Sequence, residues 1–269
     1  MIAPSDPAAA PARGAAIAIR GVTKRFATRR GEHHALGPID IDVAPGEFVS
    51  IIGPSGCGKS TTMLIAAGLV PASTGHVEIA GRRLDRPLTD VGIVFQDHLL
   101  LDFRTAIDNV MLQQQIRRLD RRATLARAAA LFARLGLTGA EDRYPRQLSG
   151  GMRQRVSIVR ALVHEPSILL MDEPFGALDA ITRTQLRHDL ERLWLDTRKT
   201  VLFITHSIPE AIFLADRVLV MTARPGRILD DVAIDLPRPR ALDAVNTEAF
   251  GEYARRIRIC LNARGGIEG

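Results

Sequence analysis

The stretch Gly53–Thr61, which reads GPSGCGKST, is the part of the chain that decides its fold. It follows the apolar run EFVSII and precedes MLIAAGL, so a glycine-rich turn stands between a predicted strand and a predicted helix. Glycine lets the backbone curl until successive N–H groups point inward, and the helix that follows adds the positive end of its dipole. The stretch therefore predicts a phosphate cradle in an α/β fold.

Two side chains of this stretch predict contacts to a nucleoside triphosphate and its metal ion. Lys59 is expected to reach the β- and γ-phosphates, and Ser60 to ligate Mg²⁺. Lysine is rare here, because 33 of the 36 basic residues are arginine, and a compact ammonium fits between two phosphates where a planar guanidinium would not. The loop residues expected to bind the nucleotide are Gly53, Pro54, Ser55, Gly56, Cys57, Gly58, Lys59, Ser60 and Thr61.

Composition narrows the class of protein. A chain of 269 residues with 46% hydrophobic content can form one large domain, or a domain with an embedded subdomain. A net charge of +6 would be compatible with binding to nucleic acid. However, basic and acidic residues are interspersed, and aromatic residues make up only 4% of the chain. We interpret the charge as an arginine preference plus an anionic ligand, with no nucleic-acid partner. A disulfide at Cys57 would obstruct that ligand, so we expect a reducing cytosol.

Neither a membrane span nor a signal peptide is predicted. No apolar run approaches the roughly 20 residues that a spanning helix needs. Residues 1–16 are rich in alanine and proline and lack both a basic leading segment and a central apolar stretch. We expect these residues to form a flexible tail.

The order of the apolar runs predicts a layered α/β domain. Ile17–Arg20 and the alternating run around Ile41 indicate an N-terminal antiparallel β subdomain. The later runs ILLMD, VLFIT and RVLVM are separated by helical segments at 180–197 and 208–215, which predicts a parallel sheet with helices on both faces. The segment 105–135 has helical periodicity and predicts an inserted α-helical subdomain, at about 97–160.

Two carboxylates follow a buried strand in the run ILLMDEP. Asp172 and Glu173 would emerge at the carboxyl edge of the sheet beside the phosphate loop. Asp172 could hold Mg²⁺ through water, and Glu173 could polarise a water that attacks the γ-phosphate. The alternative is that the two acids only cap the next helix.

A second anion site is predicted by LSGGMRQR, Leu148–Arg155. Ser149 is a plausible N-cap residue, while Gly150 and Gly151 allow close approach to the backbone. Taken alone, these residues would also fit an ordinary helix start.

The order of these motifs resembles the ATP-binding subunit of an ABC transporter. The phosphate loop, Gln96, LSGGMRQR, ILLMDEP, the ALD ending at Asp179, and ITHS around His206 follow one another as in that family. The resemblance runs from about Ile17 to Leu236, which implies a phosphate-loop (P-loop) NTPase core over residues 17–236 and a C-terminal helical extension over 237–269. LSGGMRQR discriminates the family from other phosphate-loop ATPases.

The resemblance also implies a shared active site. Two copies would pair head to tail, so that Ser149, Gly150 and Gly151 of one copy, with Gln154 in the same motif, face ATP held by the other. Glu173 would be the general base, His206 would contact the γ-phosphate, and Asp179 would couple the two sites. Gln96 would link Mg²⁺ and water to the helical subdomain. Phe26, in VTKRF, stands where the family stacks an aromatic ring on adenine, and a core position is the alternative.

The implied partners are a second copy, two transmembrane permease subunits and, indirectly, an external solute-binding protein. The apolar segment DHLLLDF adjoins the groove that receives a short permease helix in the family, although packing of the helical subdomain also explains it. The expected location is the cytoplasmic face of the bacterial inner membrane, with the protein bound peripherally.

The cargo is inferred from likeness to one branch of importers. MDEPFGALDA, HSIPEAIFLADRV and MTARPGRI resemble the branch that handles nitrate, sulfonates and taurine, whereas LLLDF departs from the Leu-Pro-Trp often found there. Alternatives are an importer of another small solute such as a vitamin precursor, a soluble ABC ATPase acting on nucleic acid or the ribosome, and a non-hydrolysing regulatory subunit. The presence of Lys59, Glu173 and His206 argues against a non-hydrolysing regulatory subunit.

Overall fold

A computed structural model describes residues 14–28, 31–176, 178–222 and 224–262. Most of the predicted flexible tail at residues 1–16 lies outside the described residues, as does Ala177 in the ALD motif. Within the described part of the chain, no helix is both long and apolar enough to cross a membrane.

The N-terminal part forms the predicted antiparallel sheet. Its strands, in the spatial order β2-β1-β4-β5, are β1 (Ile17–Thr28), β2 (Gly31–Val43), β4 (Thr74–Ile79) and β5 (Arg82–Arg83). Alternation in the sequence produces a buried face that carries Ile17 and Ile19 on β1 and Ile39 and Ile41 on β2.

The second sheet has six strands in the order β10-β9-β3-β8-β7-β6. They are β3 (Phe48–Ile52), β6 (Val91–Val94), β7 (Ile168–Asp172), β8 (Thr200–Thr205), β9 (Arg217–Met221) and β10 (Ile228–Ala233). Neighbours pair in parallel except β10, which runs antiparallel to β9 at the edge. The prediction of a parallel sheet is confirmed for five strands.

The two faces of this sheet are covered differently. Val49 and Ile51 of β3 pack toward helix α1 (Lys59–Ala66) and the antiparallel sheet. Phe48 and Ile52 point to the other face, which is covered by helices. Those helices are α5 (Ala180–Thr197), α6 (Ile208–Leu214) and α7 (Glu248–Asn262).

The chain between β6 and β7 is helical, as the periodicity predicts. It contains α2 (Ala106–Arg117), α3 (Arg121–Arg134), a 3-10 helix (Pro145–Gln147) and α4 (Gly150–Leu162). The stretch 105–135 forms two helices because Arg118 adopts a left-handed conformation with φ of 53° and Asp120 caps a new helix.

The segment after β10 packs back onto the sheet domain. Arg240 is buried, and its guanidinium donates hydrogen bonds to the carbonyls of Ile212, Phe213 and Ala215, where α6 ends. Arg238 forms an ion pair of 3.1 Å with buried Glu191 on α5. Residues 238–240 are therefore held by α5 and α6, although they belong to the predicted C-terminal extension.

Candidate functional site

Part of the predicted nucleotide site lines an open cleft of about 340 Å³ between the antiparallel sheet and the phosphate loop. Phe26 of β1, 38% exposed, and Glu173, after β7, both line it. The lining is completed by His33, Ala35, Ser55, Gly56, Gly58, Lys59, Ser60 and Thr61. One cleft thus joins an exposed aromatic ring, a phosphate cradle and a carboxylate.

Glycine is required at the turn that begins α1. Gly58 has φ of +100°, and a Cβ there would lie 2.4 Å from Leu36 Cδ2. A neighbouring turn supports the loop, because Gly226 packs so closely that its Cβ would lie 1.9 Å from the Cys57 carbonyl oxygen. Cys57 itself is buried, and burial raises the pKa of its thiol.

Lys59 is poised within the cradle. Its side chain is buried, and Nζ donates to the carbonyls of Gly53 at 2.8 Å and Pro54 at 3.1 Å. These contacts hold the ammonium at the loop, where a phosphate oxygen could replace a carbonyl partner.

Asp172 and Ser60 form the oxygen-rich part of the site. Burial raises the pKa of the Asp172 carboxyl, and a hydrogen bond with the Ser60 side chain acts in the opposite direction. A divalent cation beside this carboxylate would offset the effect of burial, and hydroxyl and carboxylate oxygens are ligands that Mg²⁺ prefers. In the described ranges, no cluster of three or more His, Cys, Asp or Glu side chains could hold a metal ion, so phosphate oxygens would have to complete such a site.

Glu173 is held in a specific geometry at the end of β7. Its φ of 44° is uncommon for a residue with a side chain, and its N–H donates to the Ile204 carbonyl of β8 at 2.9 Å. Its Oε2 lies 3.0 Å from Nδ1 of His206, whose side chain is 61% exposed. The backbone and the imidazole together aim the carboxylate at the cleft.

The LSGG and ALD motifs meet where two helices begin. Ser149 caps α4 by accepting a hydrogen bond from the Met152 N–H at 3.2 Å, as the sequence predicts. Asp179 caps α5, and the N–H of Thr182 lowers the pKa of its carboxyl. A Cβ on Gly151 would lie 2.6 Å from Thr182 Cγ2, so glycine allows the two helix starts to pack together.

Helix α4 also holds the segment that follows β6. Buried Gln154 donates to the Phe95 carbonyl at 3.4 Å, and Arg160 donates to the carbonyls of His98 and Leu99 at 2.8 and 2.6 Å. Gln96, adjacent to these anchors, is exposed. Gln154 therefore makes its contact within its own chain and holds the segment beside Gln96.

The structure brings together only part of the predicted site. Among the described residues, those that line the cleft do not include the predicted residues Gly53, Pro54, Cys57, Gln96, Ser149, Gly150, Gly151, Gln154, Asp172, Asp179 or His206. His206 reaches the cleft through Glu173, and the exposed start of α4 belongs to another part of the surface. A single copy thus offers a nucleotide cleft and a separate glycine-rich helix start.

Sequence reasoning missed three residues that shape this region. His33 lines the cleft, Gly226 supports the phosphate loop, and Arg160 anchors the segment after Gln96. Only strand pairing could have revealed His33, which lies directly opposite Phe26.

The apolar segment after Gln96 is split between core and surface. Leu100 is buried at 7% exposure, whereas Leu99 and Phe103 are 55% and 75% exposed. Packing of the helical region explains the first of these side chains but not the other two.

Comparison with known proteins agrees with this geometry. Residues 36–176 match the family described as ABC transporter. The chain is 45% identical over 244 residues to the taurine import ATP-binding protein TauB of Rhizobium johnstonii, covering 88% of this chain and 93% of the relative. It is 42% identical over 225 residues to the aliphatic sulfonates import ATP-binding protein SsuB of Bacillus licheniformis, covering 84% and 87%.

A solved structure is also similar. The dimeric structure of MJ0796, a bacterial ABC transporter cassette, superimposes with a TM-score of 0.74 at 31% identity. The match covers 82% of this chain and all of that one. A second structure of that cassette, in a post-hydrolysis state bound to ADP and Pi, gives a TM-score of 0.73.

Proposed function

The chain belongs to the ABC transporter family and is an ATPase, and we propose that it energises the import of a small anion such as taurine, another aliphatic sulfonate or nitrate. The observation that carries the proposal is the cleft that joins Phe26, the phosphate loop and Glu173. The named importer relatives favour a sulfonate among these cargoes.

We assign the following roles within the cleft. Phe26 stacks on adenine, the N–H groups of residues 53–61 bind the phosphates, and Lys59 exchanges a carbonyl partner for the β- and γ-phosphates. Glu173 accepts a proton from the attacking water, and His206 holds Glu173 and contacts the γ-phosphate. Positioning and charge stabilisation suffice, since phosphoryl transfer to water needs no covalent intermediate.

Ser60 and Asp172 fit a magnesium ion, with Gln96 as a further ligand that approaches from the helical region. Bound there, Mg²⁺ would neutralise charge on the phosphate oxygens. Ser60 presents its hydroxyl at the start of α1, and Asp172 presents a carboxylate beside it.

We propose that two copies complete the active site head to tail. Ser149, Gly150 and Gly151 would bind the γ-phosphate held by the partner's loop, and Asp179 would link the two sites at the start of α5. The exposed, capped start of α4 supports this proposal, because free N–H groups at a helix N-terminus bind anions. Gln154 then acts as a positioning residue, since it ties α4 to the segment beside Gln96.

The proposed assembly includes two transmembrane permease subunits and an external solute-binding protein, on the cytoplasmic face of a bacterial inner membrane. Exposed Leu99 and Phe103 would receive a short permease helix. Hydrogen bonds from α4 to residues 95–99 support coupling, because a movement of α4 would carry this surface with it. Nucleotide-driven closure of the dimer would thus reach the permease.

The experiment is affinity purification of Glu173→Gln from gently solubilised membranes with ATP and Mg²⁺, followed by identification of the chains that accompany it. We expect a polytopic permease. Adding Phe103→Glu should remove the permease, whereas adding Ile116→Glu, a comparably exposed residue on α2, should not. Ligand screening of the associated binding protein with taurine, aliphatic sulfonates, nitrate and vitamin precursors would then identify the cargo.

The rival functions predict other results from the same purification. Recovery of only soluble or ribosomal chains would overturn the transport proposal and favour the nucleic-acid alternative, while leaving the ATPase intact. Recovery of a permease whose binding protein prefers a vitamin precursor would support the importer assignment and overturn the proposed anionic cargo.

A further inference from the structure

We propose that His33 recognises the ribose of bound ATP, and that it forms with Phe26 a two-residue nucleoside site in the cleft. The inference rests on the proposed nucleotide site and adds a specificity-determining residue to it. It is carried by the juxtaposition of the two side chains across neighbouring strands.

Strand register places the two side chains together. In the antiparallel pairing of β1 and β2, His33 lies directly opposite Phe26. Directly opposite residues project to the same face of a sheet, with Cβ atoms about 4.5–5.5 Å apart. Both side chains line the cleft that contains the phosphate loop.

Position along β2 distinguishes a nucleoside contact from a phosphate contact. Ala35, two residues after His33, also lines the cleft, and its carbonyl oxygen would lie 3.1 Å from a Cβ on Gly58. Ala35 therefore marks the phosphate end. Two residues of antiparallel strand span about 7 Å, which is about the length of a ribose. His33 therefore lies that far from the phosphate end, beside the aromatic ring.

Near Phe26, His33 is the side chain that can make a polar contact to a bound nucleoside. Phe26 has no hydroxyl, and the Lys24 ammonium lies 4.8 Å from its ring centre, which leaves the opposite ring face for a base. Apart from the phosphate loop and Glu173, His33 has the only polar side chain among the described lining residues. Within the described part of the chain its imidazole makes no side-chain hydrogen bond or ion pair, so the imidazole is available to a ribose hydroxyl.

His34 offers a matched control. It is the next residue of the same strand, pairs with Arg25 and projects to the other face. Its imidazole lies 3.7 Å from the Glu32 carboxylate, and it does not line the cleft. The pair His33→Ala and His34→Ala thus compares one lost imidazole inside the site with one outside it.

The test is equilibrium binding by calorimetry of ATP, its 2′- and 3′-deoxy analogues and inorganic tripolyphosphate to the full chain. His33→Ala should weaken ATP binding about three- to tenfold, as expected for one lost hydrogen bond, and leave tripolyphosphate binding unchanged. The wild-type preference for ATP over at least one deoxy analogue should disappear in His33→Ala. His34→Ala should match the wild type in every measurement.

Each other outcome has a distinct meaning. The ribose contact is wrong if His33→Ala binds ATP as tightly as His34→Ala does, or if it still prefers ATP over both deoxy analogues. The ATPase assignment stands in either case. If His33→Ala weakens tripolyphosphate as much as ATP, His33 acts on the phosphates and the inference is overturned. Absence of ATP binding in the wild type would overturn the proposed nucleotide site as well.

Discussion

Glu173 Oε2 and His206 Nδ1 are joined by a 3.0 Å hydrogen bond across the ends of neighbouring strands β7 and β8. The bond restrains a carboxylate whose backbone has an uncommon positive φ of 44°. Because the imidazole is largely exposed and the carboxylate lines the cleft, we propose that a contact between His206 and a phosphate would be transmitted to Glu173 through this bond.

Replacing Glu173 with glutamine should lower ATP hydrolysis about 10²- to 10⁴-fold and leave ATP binding intact. The amide still accepts a hydrogen bond but cannot take a proton from water. Phosphate release and nucleotide binding, measured on the same preparation, check this. Glu165→Gln is the control, because Glu165 also has a positive φ, of 55°, but pairs with Arg127 outside the cleft. Wild-type turnover in Glu173→Gln would refute the assignment of the base.

Ser149→Arg should abolish ATP hydrolysis while each copy still binds ATP, since the long cation would block the contact between the two copies. Thr105→Arg removes the N-cap hydrogen bond of α2 in the same way and should cost only about 1 kcal/mol of stability. Hydrolysis rates and ATP-dependent dimer formation by analytical ultracentrifugation distinguish the two variants. Equal loss of activity in both would point to a defect in folding.

Gly226→Ala should weaken ATP binding and lower the unfolding free energy by about 1–3 kcal/mol, because the new methyl group would collide with the carbonyl of Cys57. Gly251→Ala, within α7, meets no atom within 4 Å and should stabilise the protein by up to about 1 kcal/mol. Urea denaturation and nucleotide titration measure both effects. Normal ATP affinity in Gly226→Ala would show that the loop tolerates displacement by its neighbouring turn.

Acid should destabilise the protein partly through His164. Burial lowers the pKa of this imidazole to about 4, and nearby Arg117 acts in the same direction, while Nε2 donates to the Val91 carbonyl. Since the unfolded chain binds this proton near pH 6.5, stability is lost as pH falls from about 6.5 to 4.

The prediction is a smaller acid effect in His164→Gln. Between pH 7.5 and pH 5 this variant should lose about 1 kcal/mol less unfolding free energy than the wild type, allowing for solvent screening of the partly exposed ring. Urea denaturation at the two pH values measures the difference, with exposed His34→Gln as the control. An acid effect equal to that of the wild type would exclude His164 as the source.

Arg240→Met should lower the unfolding free energy by about 3 kcal/mol, because it leaves three buried carbonyls at the end of α6 without their donor. Arg255→Met, at an exposed position of α7, should change it by less than about 0.5 kcal/mol. Thermal and urea unfolding check this. A much larger loss of unfolding free energy in Arg240→Met than in Arg255→Met would favour placing the end of the ATPase domain after residue 240 instead of 236.

Local chemistry made much of this structure predictable. The GPSGCGKST turn, the cap at Ser149 and the alternation of apolar runs each depend on residues close in sequence. The family pattern added the expected roles of distant motifs, including the expectation that the LSGG motif of one copy faces the phosphate loop of another.

Contacts between remote segments account for the rest. His33 faces Phe26 only because two strands pair in one register, and a shift by one residue would have placed His34 there instead. The approach of Gly226 to Cys57 and the burial of Arg240 depend on chain separated by many residues. Neither leaves a periodic signal, since a glycine in a turn and an arginine in an arginine-rich chain look ordinary.

The short helix α6 connects Arg240 to the sheet edge that carries Glu173 and His206. It starts directly after His206, with Ser207 as its N-cap, and it ends at the carbonyls bound by Arg240. Seven residues of helix span only about 10 Å and behave as a stiff rod. We therefore expect sequence changes between residues 237 and 240 to alter the rate of ATP hydrolysis by tilting this helix, without changing which cargo the associated binding protein selects.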